Sequence, residues 1–259
     1  MDKGAHNTLH ILHSIGGLPV ESPEEKNMSS SIYEDGTYLE KNPGWHEADS
    51  AWKAKQISGI LRANNIIPST LCEIGCGAGE ILNCLSQEYG NKTVFSGYEI
   101  SPQAFAICKN KEKNNLHFYL ENLLDCKDVT FNVVMAIDVF EHVEDYFGFL
   151  RELRGKGIYK IFHIPLDLSV QSVFRKSRIL HCRSSVGHIH YFTKETALAT
   201  LEDTGYEVID YSYTGGSLEL PNRGWKANLM KLPRKLFFQL HSDMAVRMFG
   251  GFSLLVLAR

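Results

Sequence analysis

Apolar residues recur along this chain with two different periods, and their alternation lays out the fold. From His46 onward Ala54, Ile57, Ile60 and Leu61 share one face at helical spacing, and the pattern stops before Pro68, since a proline disfavours helix in the residue before it. Short apolar runs follow near residues 70–74, 94–100, 116–120, 131–137 and 157–164, separated by helical patterns at about 80–89, 102–113 and 140–154. Strand and helix in this rhythm predict a parallel sheet covered on both faces, a doubly wound α/β fold. Past Pro165, residues 166–187 read as a long loop, the kind of strand-end connection that carries function. A helix over 193–204, a sixth strand over 206–213 and a seventh over 252–258 complete the pattern.

Two stretches stand apart from it. Residues 1–30 are polar and rich in Ser, Pro and Glu, which predicts a mobile leader ahead of a folded domain over 31–259. Residues 214–250 form a large excursion in which Lys226, Lys231, Arg234, Lys235 and Arg247 flank Leu229, Leu232, Leu236, Phe237, Leu240 and Phe249. This is a basic amphipathic helix in prospect, packed on the parent domain or lying on a lipid surface as a peripheral membrane contact. Together with 166–190 it is expected on the substrate side of the domain.

The first strand leads through Leu71 and Cys72 into Glu73-Ile74-Gly75-Cys76-Gly77-Ala78-Gly79, and Ile81, Leu85 and Tyr89 then recur at helical spacing. Gly97-Tyr98-Glu99-Ile100 puts a second acid at the end of the next strand. A dinucleotide turn has Gly or Ala at its sixth position, and its helix start faces a pyrophosphate. Here that position is Glu80, whose carboxylate would repel the anion. S-adenosylmethionine carries no phosphate and brings a sulfonium and an ammonium, so acids around the turn help. Glu73 can attract the ammonium, the glycines admit the methionyl portion, and Glu99 can accept both ribose hydroxyls. A nicotinamide-dependent oxidoreductase on a similar sheet is the rival, disfavoured by Glu80 and by the glycine spacing.

These residues resemble the first two motifs of the class I S-adenosylmethionine-dependent methyltransferases. Phe131-Asn132-Val133-Val134-Met135-Ala136-Ile137-Asp138-Val139-Phe140-Glu141-His142-Val143 is similar to the family's fourth strand and to the Glu-His-Val signature of the ubiquinone-biosynthesis O-methyltransferase type. The resemblance covers roughly residues 45 to 213 and the last strand. It implies a seven-stranded, mostly parallel, Rossmann-like sheet with an antiparallel last strand and a C-terminal cap insertion. It also implies a cofactor site formed by Glu73, Gly75, Cys76, Gly77, Gly79, Glu99, Ile100, Asn122, Leu123 and Asp138. The chain departs from the pattern at Asn122, where many relatives carry an aspartate for the adenine amino group; Asn can accept through its carbonyl oxygen.

Methyl transfer to a hydroxyl needs a group to take its proton, and histidine suits that role near neutral pH. His142 after the fourth strand and His163 on the fifth are the expected bases, with His188, His190 and Arg183 on the substrate side. Glu141 and His142 with the His-x-His of 188–190 also have the donor chemistry of a divalent metal site, though no spacing requires one, and the expectation is no metal. Tyr33, Tyr38, Trp45 and His46 precede the first helix as a candidate aromatic lid.

Composition adds location and charge. The 259 residues are 44% hydrophobic, no apolar run is long enough to span a membrane, and the six cysteines form no Cys-x-x-Cys pair, so a cytoplasmic chain with reduced core thiols is expected. Residues 1–150 hold 11 Lys and Arg against 21 Asp and Glu, whereas 151–259 hold 16 against 9. An acidic half suits a cationic cofactor, and a basic half suits a phosphate-bearing or carboxylated acceptor, a small molecule or one linked to a glycan or lipid carrier. No basic stripe interleaved with aromatics marks a nucleic-acid binder. A non-catalytic protein that binds the cofactor as a signal or prop is the remaining alternative, and oligomeric state is not readable.

Overall fold

The computed structural model describes residues 47–220 and 225–259. The expected leader and the lid residues Tyr33, Tyr38, Trp45 and His46 lie outside the described residues. Helix α1 (Glu47–Ala63) buries Ala54, Ile57, Ile60 and Leu61, the face its periodicity marks. It packs beside α2 (Glu80–Tyr89), where Ser58 Oγ and Arg62 donate to Glu88 at 2.7 and 2.5 Å.

Strands β1 (Thr70–Ile74), β2 (Val94–Tyr98), β3 (Leu116–Tyr119), β4 (Phe131–Ile137) and β5 (Gly157–Pro165) run parallel. With β6 (Val208–Thr214) and β7 (Ser253–Ala258) they form one sheet in the order β3-β2-β1-β4-β5-β7-β6, in which β7 is antiparallel to both β5 and β6. Each central strand is apolar on both sides because helices cover both faces. Leu71, Val133, Ile161 and Leu255 enter the layer of α1 and α2, whereas their neighbours Cys72, Val134, Phe162 and Val256 enter the opposite layer.

That opposite layer is supplied by α4 (Tyr146–Leu153) through Leu150 and Leu153, and by α7 (Lys194–Asp203) through Ala197 and Leu201. Earlier in the chain, between β2 and β3, α3 (Pro102–Cys108) starts on a Ser101 cap with Pro at its first position.

Three elements differ from the sequence expectation. The helix expected to 113 leaves the α form at Cys108 and ends in a 3-10 turn, Lys109–Lys111, because the run from 109 to 115 offers almost nothing apolar to bury. The helix expected from 140 starts six residues later. Phe140–His142 is a 3-10 turn, and Asp145 accepts from Gly148 N at 2.8 Å to start α4 afresh. The expected loop at 166–187 contains α5 (Val170–Phe174), started by a Ser169–Ser172 capping box, and α6 (Lys176–Ser185). The late excursion folds as α8 (Gly216–Glu219), α9 (Trp225–Leu240) and α10 (Ser242–Phe249), with Pro233 inside α9.

Candidate active site

The site lies along the C-terminal edges of β1 to β5, next to the point where strand order reverses between β1 and β4, with α1 contributing from one side. The turn after β1 is left-handed at Gly75, Gly77 and Gly79, with φ of +67°, +53° and +74°. Gly79 also has no room for a side chain: a Cβ there would stand 2.6 Å from the Phe118 ring and 2.8 Å from Cys108 Cβ. Cys76 is buried, and burial pushes its thiol pKa well up, so it serves as a small packing residue under the turn rather than a nucleophile.

Glu99 closes this turn. Its Oε2 accepts from Gly77 N at 2.8 Å, and its Oε1 accepts from Ile100 N at 2.9 Å and Ser101 N at 2.8 Å. Three of a carboxylate's roughly four acceptor positions are therefore taken by backbone, which leaves room for one ribose hydroxyl rather than the two the sequence suggests. Burial pushes the Glu99 pKa up while the three N–H donors pull against it. Glu73 is more extreme: it is buried, its Oε2 has no hydrogen-bond partner, and burial holds its pKa well above the carboxylate range despite Lys53 nearby.

Both acids face a cavity of about 510 Å³ that also takes in the glycine turn, Ile100, Asn122, Leu124, Asp138 and His142. Asn122 Oδ1 accepts from Leu124 N at 3.1 Å, so its amide nitrogen, more than its oxygen, is left for a further partner. Leu123 does not belong to the site as expected. Its side chain is fully buried in the core, and Leu124 is the residue at the cavity wall.

A second cavity, about 350 Å³, lies beside the first and shares Lys53, Asp138 and His142 with it. Asp138 is left-handed, φ +54°, a cost for a non-glycine residue that its surroundings maintain. Its Oδ2 is 2.8 Å from Lys53 Nζ, its Oδ1 is 2.5 Å from His163 Nδ1, and its N donates to His163 O at 3.0 Å. Burial alone would raise its pKa, but His163 and Lys53 outweigh that and hold it far below the carboxylate range. Burial likewise disfavours charge on Lys53, yet Asp138 and Asp49, the latter at 3.1 Å, raise its pKa.

The histidines separate into distinct roles. His163, expected as a base, is buried with both ring nitrogens engaged, Nδ1 on Asp138 and Nε2 on Thr214 Oγ1 at 2.8 Å, so it fixes Asp138 instead. His142 stands at the junction of the two cavities, with Nδ1 donating to Gly187 O at 3.1 Å. His188 lines the second cavity and donates from Nδ1 to Asp167 Oδ2 at 2.6 Å. His190 and Arg183 leave the expected substrate side. His190 bonds Val143 O at 2.9 Å and packs on the Tyr146 ring, and Arg183 is exposed on α6; neither lines a cavity.

Asp49, Lys53, Asp167 and Thr214 were not read from the sequence. The Asp49–Lys53 pair, four apart on a helix, resembles an ordinary surface ion pair, and Asp167 lies in a stretch read as loop. Only the sheet brings them to one rim.

A strand order of this kind, a three-glycine turn and two buried acids around one cleft define an S-adenosylmethionine-dependent methyltransferase of class I. A family model described as "Methyltransferase domain" matches residues 45–211, and the chain belongs to that family. Norajmaline N-methyltransferase of Rauvolfia serpentina is 29% identical over 113 residues, 39% of this chain and 38% of that protein's length. Among solved structures, magnesium protoporphyrin IX methyltransferase from Synechocystis PCC 6803, with bound SAH, is similar with a TM-score of 0.61 at 15% identity, over 89% of this chain and 99% of that one. N-methyltransferase NodS from Bradyrhizobium japonicum WM9, in complex with S-adenosyl-L-homocysteine, gives 0.54 at 15% identity over 87% and 98%. Both share the fold.

Proposed function

We propose that this chain transfers a methyl group from S-adenosylmethionine to an oxygen of a small or carrier-linked acceptor. The observation that carries the reading is the pair of adjoining cavities that meet at Lys53, Asp138 and His142. The first fits the cofactor on three counts. A backbone cradle has no room for a Cβ at Gly79, Glu99 has one acceptor position left, and a buried Glu73 oxygen lacks a partner that an ammonium would supply.

When bound, the cofactor supplies an electrophilic methyl carbon on a sulfonium. The protein's part is to hold the acceptor in line with that carbon and to keep water out. Asp138, fixed by Lys53 and His163, forms the rigid wall between the two ligands. The acceptor enters the second cavity, where Trp52 and Phe252 give apolar surface, and its proton departs at the His142 end.

The expected anionic acceptor needs one revision. Lys53 is the only cation lining the second cavity among the described residues, and two aspartates already engage it. A neutral hydroxyl-bearing head therefore enters, and any anionic carrier stays outside. Support for a lipid carrier comes from α9, whose Leu229, Leu232, Leu236 and Leu240 are exposed beside Lys235. Oxygen is preferred on the Glu141-His142-Val143 resemblance. The similarity to an N-methyltransferase makes an amine the second reading.

The test is isotopic methyl transfer from labelled cofactor to hydroxyl-bearing and amine-bearing acceptors, with products identified by mass spectrometry. Label on an ether oxygen is the expected result, and label only on nitrogen would decide for the second reading. Tight binding of S-adenosylhomocysteine with no transfer to any acceptor would favour the non-catalytic alternative.

A further inference from the structure

One side chain of the second cavity lacks the partner that its chemistry demands. Trp52 and Lys53 stand three and four residues after Asp49 on α1, so the three share a face, and all of them line that cavity. Lys53 Nζ is 3.1 Å from Asp49 Oδ2, whereas Asp49 Oδ1 is buried and has no hydrogen-bond partner. A buried carboxylate oxygen without a donor carries a desolvation cost that a ligand can remove. The last torsion of aspartate is soft, so the carboxylate can turn one oxygen to the cavity while Lys53 keeps the other.

The donor that fits is neutral. An ammonium brought to Asp49 would stand beside that of Lys53 and be repelled by it, whereas a hydroxyl donates without adding charge. Asp167, on the segment after β5, lines the same cavity with acceptor capacity to spare. Its Oδ2 accepts from His188 at 2.6 Å, and its Oδ1 is met by the weak donor Cys182 Sγ at 4.0 Å. Acceptor oxygens therefore come from two separate segments, and hydroxyls are needed at more than one edge of the occupant. Trp52 supplies the complementary surface: its single polar atom, Nε1, is spent on Glu219 Oε2 at 2.6 Å, so what it offers the cavity is apolar ring. A saturated sugar ring, with hydroxyls around its rim and C–H groups on its faces, meets both demands. An aromatic diol carries its two hydroxyls on one edge and leaves one aspartate unmet. The volume of about 350 Å³ is at the small end for a ligand pocket and suits one ring.

We propose that the methyl acceptor is a neutral sugar ring whose hydroxyls donate to Asp49 and Asp167 while its C–H face rests on Trp52. This rests on the reading of the second cavity as the acceptor's and narrows the substrate class of that site. Asp49 and Asp138 both contact Lys53 Nζ, at 3.1 and 2.8 Å, so a hydroxyl bonded to Asp49 puts its neighbour on the ring at the Asp138 edge, where the cofactor cavity adjoins. In the transfer that neighbour forms a C–O bond to the methyl carbon, the C–S bond breaks with its electron pair left on sulfur, and the hydroxyl proton leaves to solvent. Asp49 takes no part in the bond changes and selects the substrate.

The test uses the full-length protein with labelled S-adenosylmethionine and a panel of alkyl hexosides with their monodeoxy analogues, beside an alkyl catechol and an alkylamine, with products located by mass spectrometry and NMR. Transfer to a hexoside hydroxyl is expected. Removing the hydroxyl next to the methylated one is expected to lower kcat/KM about 10-fold or more, chiefly through KM. Asp49→Ala is expected to lower kcat/KM for the parent hexoside by a similar factor, and removing the same hydroxyl then costs that variant less than about threefold further, a coupling that a merely structural role would not produce. Its S-adenosylhomocysteine affinity by calorimetry is expected to stay within about threefold of wild type, which shows that it folds. Transfer to the catechol or the amine and to no hexoside would overturn the sugar and leave a methyltransferase standing. A deoxy series that costs wild type and Asp49→Ala equally would overturn the role of Asp49. Binding of S-adenosylhomocysteine with no transfer to any of the panel would overturn the sugar together with the acceptor reading of the cavity, and failure to bind S-adenosylhomocysteine would bring down the cofactor reading as well.

Discussion

Replacing Glu99 with glutamine removes one oxygen and no volume, and the structure states what that oxygen does. Oε1 accepts two backbone N–H groups at 2.9 and 2.8 Å, so the remaining carbonyl is expected to keep that position. The new amide NH₂ then faces Gly77 N, which now donates to Oε2 at 2.8 Å. A hydrogen bond to a charged group contributes about 1.5–3 kcal/mol, and a donor set against a donor recovers none of it. The loss falls on the apo protein if the turn stays in place, or on binding if the turn relaxes until ligand restores it. The quantity to follow is therefore the sum of the change in unfolding free energy, from urea titration, and in S-adenosylhomocysteine binding free energy, from calorimetry. That sum is expected to fall by about 1.5–3 kcal/mol, equivalent to roughly 10- to 150-fold if all of it appears in affinity. A sum within about 0.5 kcal/mol of wild type, the range of an ordinary surface substitution, would show that Glu99 does not hold the turn.

Glu73, whose pKa burial raises, binds its proton more readily folded than unfolded, so its contribution to stability falls as pH rises from the ordinary carboxylate value to the raised one. Glu73→Gln is expected to flatten that part of the stability profile and to weaken S-adenosylhomocysteine; a profile of unchanged slope would remove the buried charge from the account. Gly79→Ala puts a Cβ 2.6 Å from the Phe118 ring at φ +74°, and a cost of about 1–3 kcal/mol in denaturant unfolding is expected, with an unshifted midpoint as the contrary result. Leu232 and Leu236 are 66% and 53% exposed, and Leu232→Glu with Leu236→Glu is expected to abolish sedimentation with anionic vesicles. If the wild type also fails to sediment, the carrier is not a lipid.

The parallel half of the sheet was legible because its strands are buried on both faces, so each is a compact apolar run between amphipathic helices. The acid and glycine positions of the cofactor cleft were legible for a similar reason: they sit at fixed offsets from a strand end. Leu123 and Leu124 show where this stops, because two adjacent leucines are equivalent in sequence and only the 3-10 turn at Leu123–Asp125 decides which one meets the cavity. His163 and His142 look equally competent as bases. What separates them is Thr214, 51 residues beyond His163, which occupies the second nitrogen of one ring. Residues 166–187 were read as one long loop because α5 and α6 are too short to show a sustained apolar period; the local signal of a helix start was the reciprocal cap of Ser169 and Ser172 on α5.

The two cavities draw on different parts of the chain, and this bears on how acceptor choice is encoded. The cofactor cleft is built from strand ends and the turns after them, segments whose register the sheet fixes. The second cavity instead joins a helix that precedes the first strand, through Asp49, Trp52 and Lys53, to segments after the fifth and sixth, through Asp167, His188, Gly216 and Leu220. Long-range side-chain bonds clamp the early helix onto the late part of the chain. Trp52 Nε1 donates to Glu219 Oε2 at 2.6 Å, and Asn64 Nδ2 donates to Asp210 Oδ2 at 2.8 Å. Among the described residues Lys53 is the one cation common to both cavities, and through Asp138 it ties that clamp to His163 on the fifth strand. Sequence change in α1, in the segment just after α6 or in α8 can therefore reshape the acceptor cavity without moving Glu73, Glu99 or the glycine turn, whereas change at Lys53 or Asp138 is felt by both ligands at once.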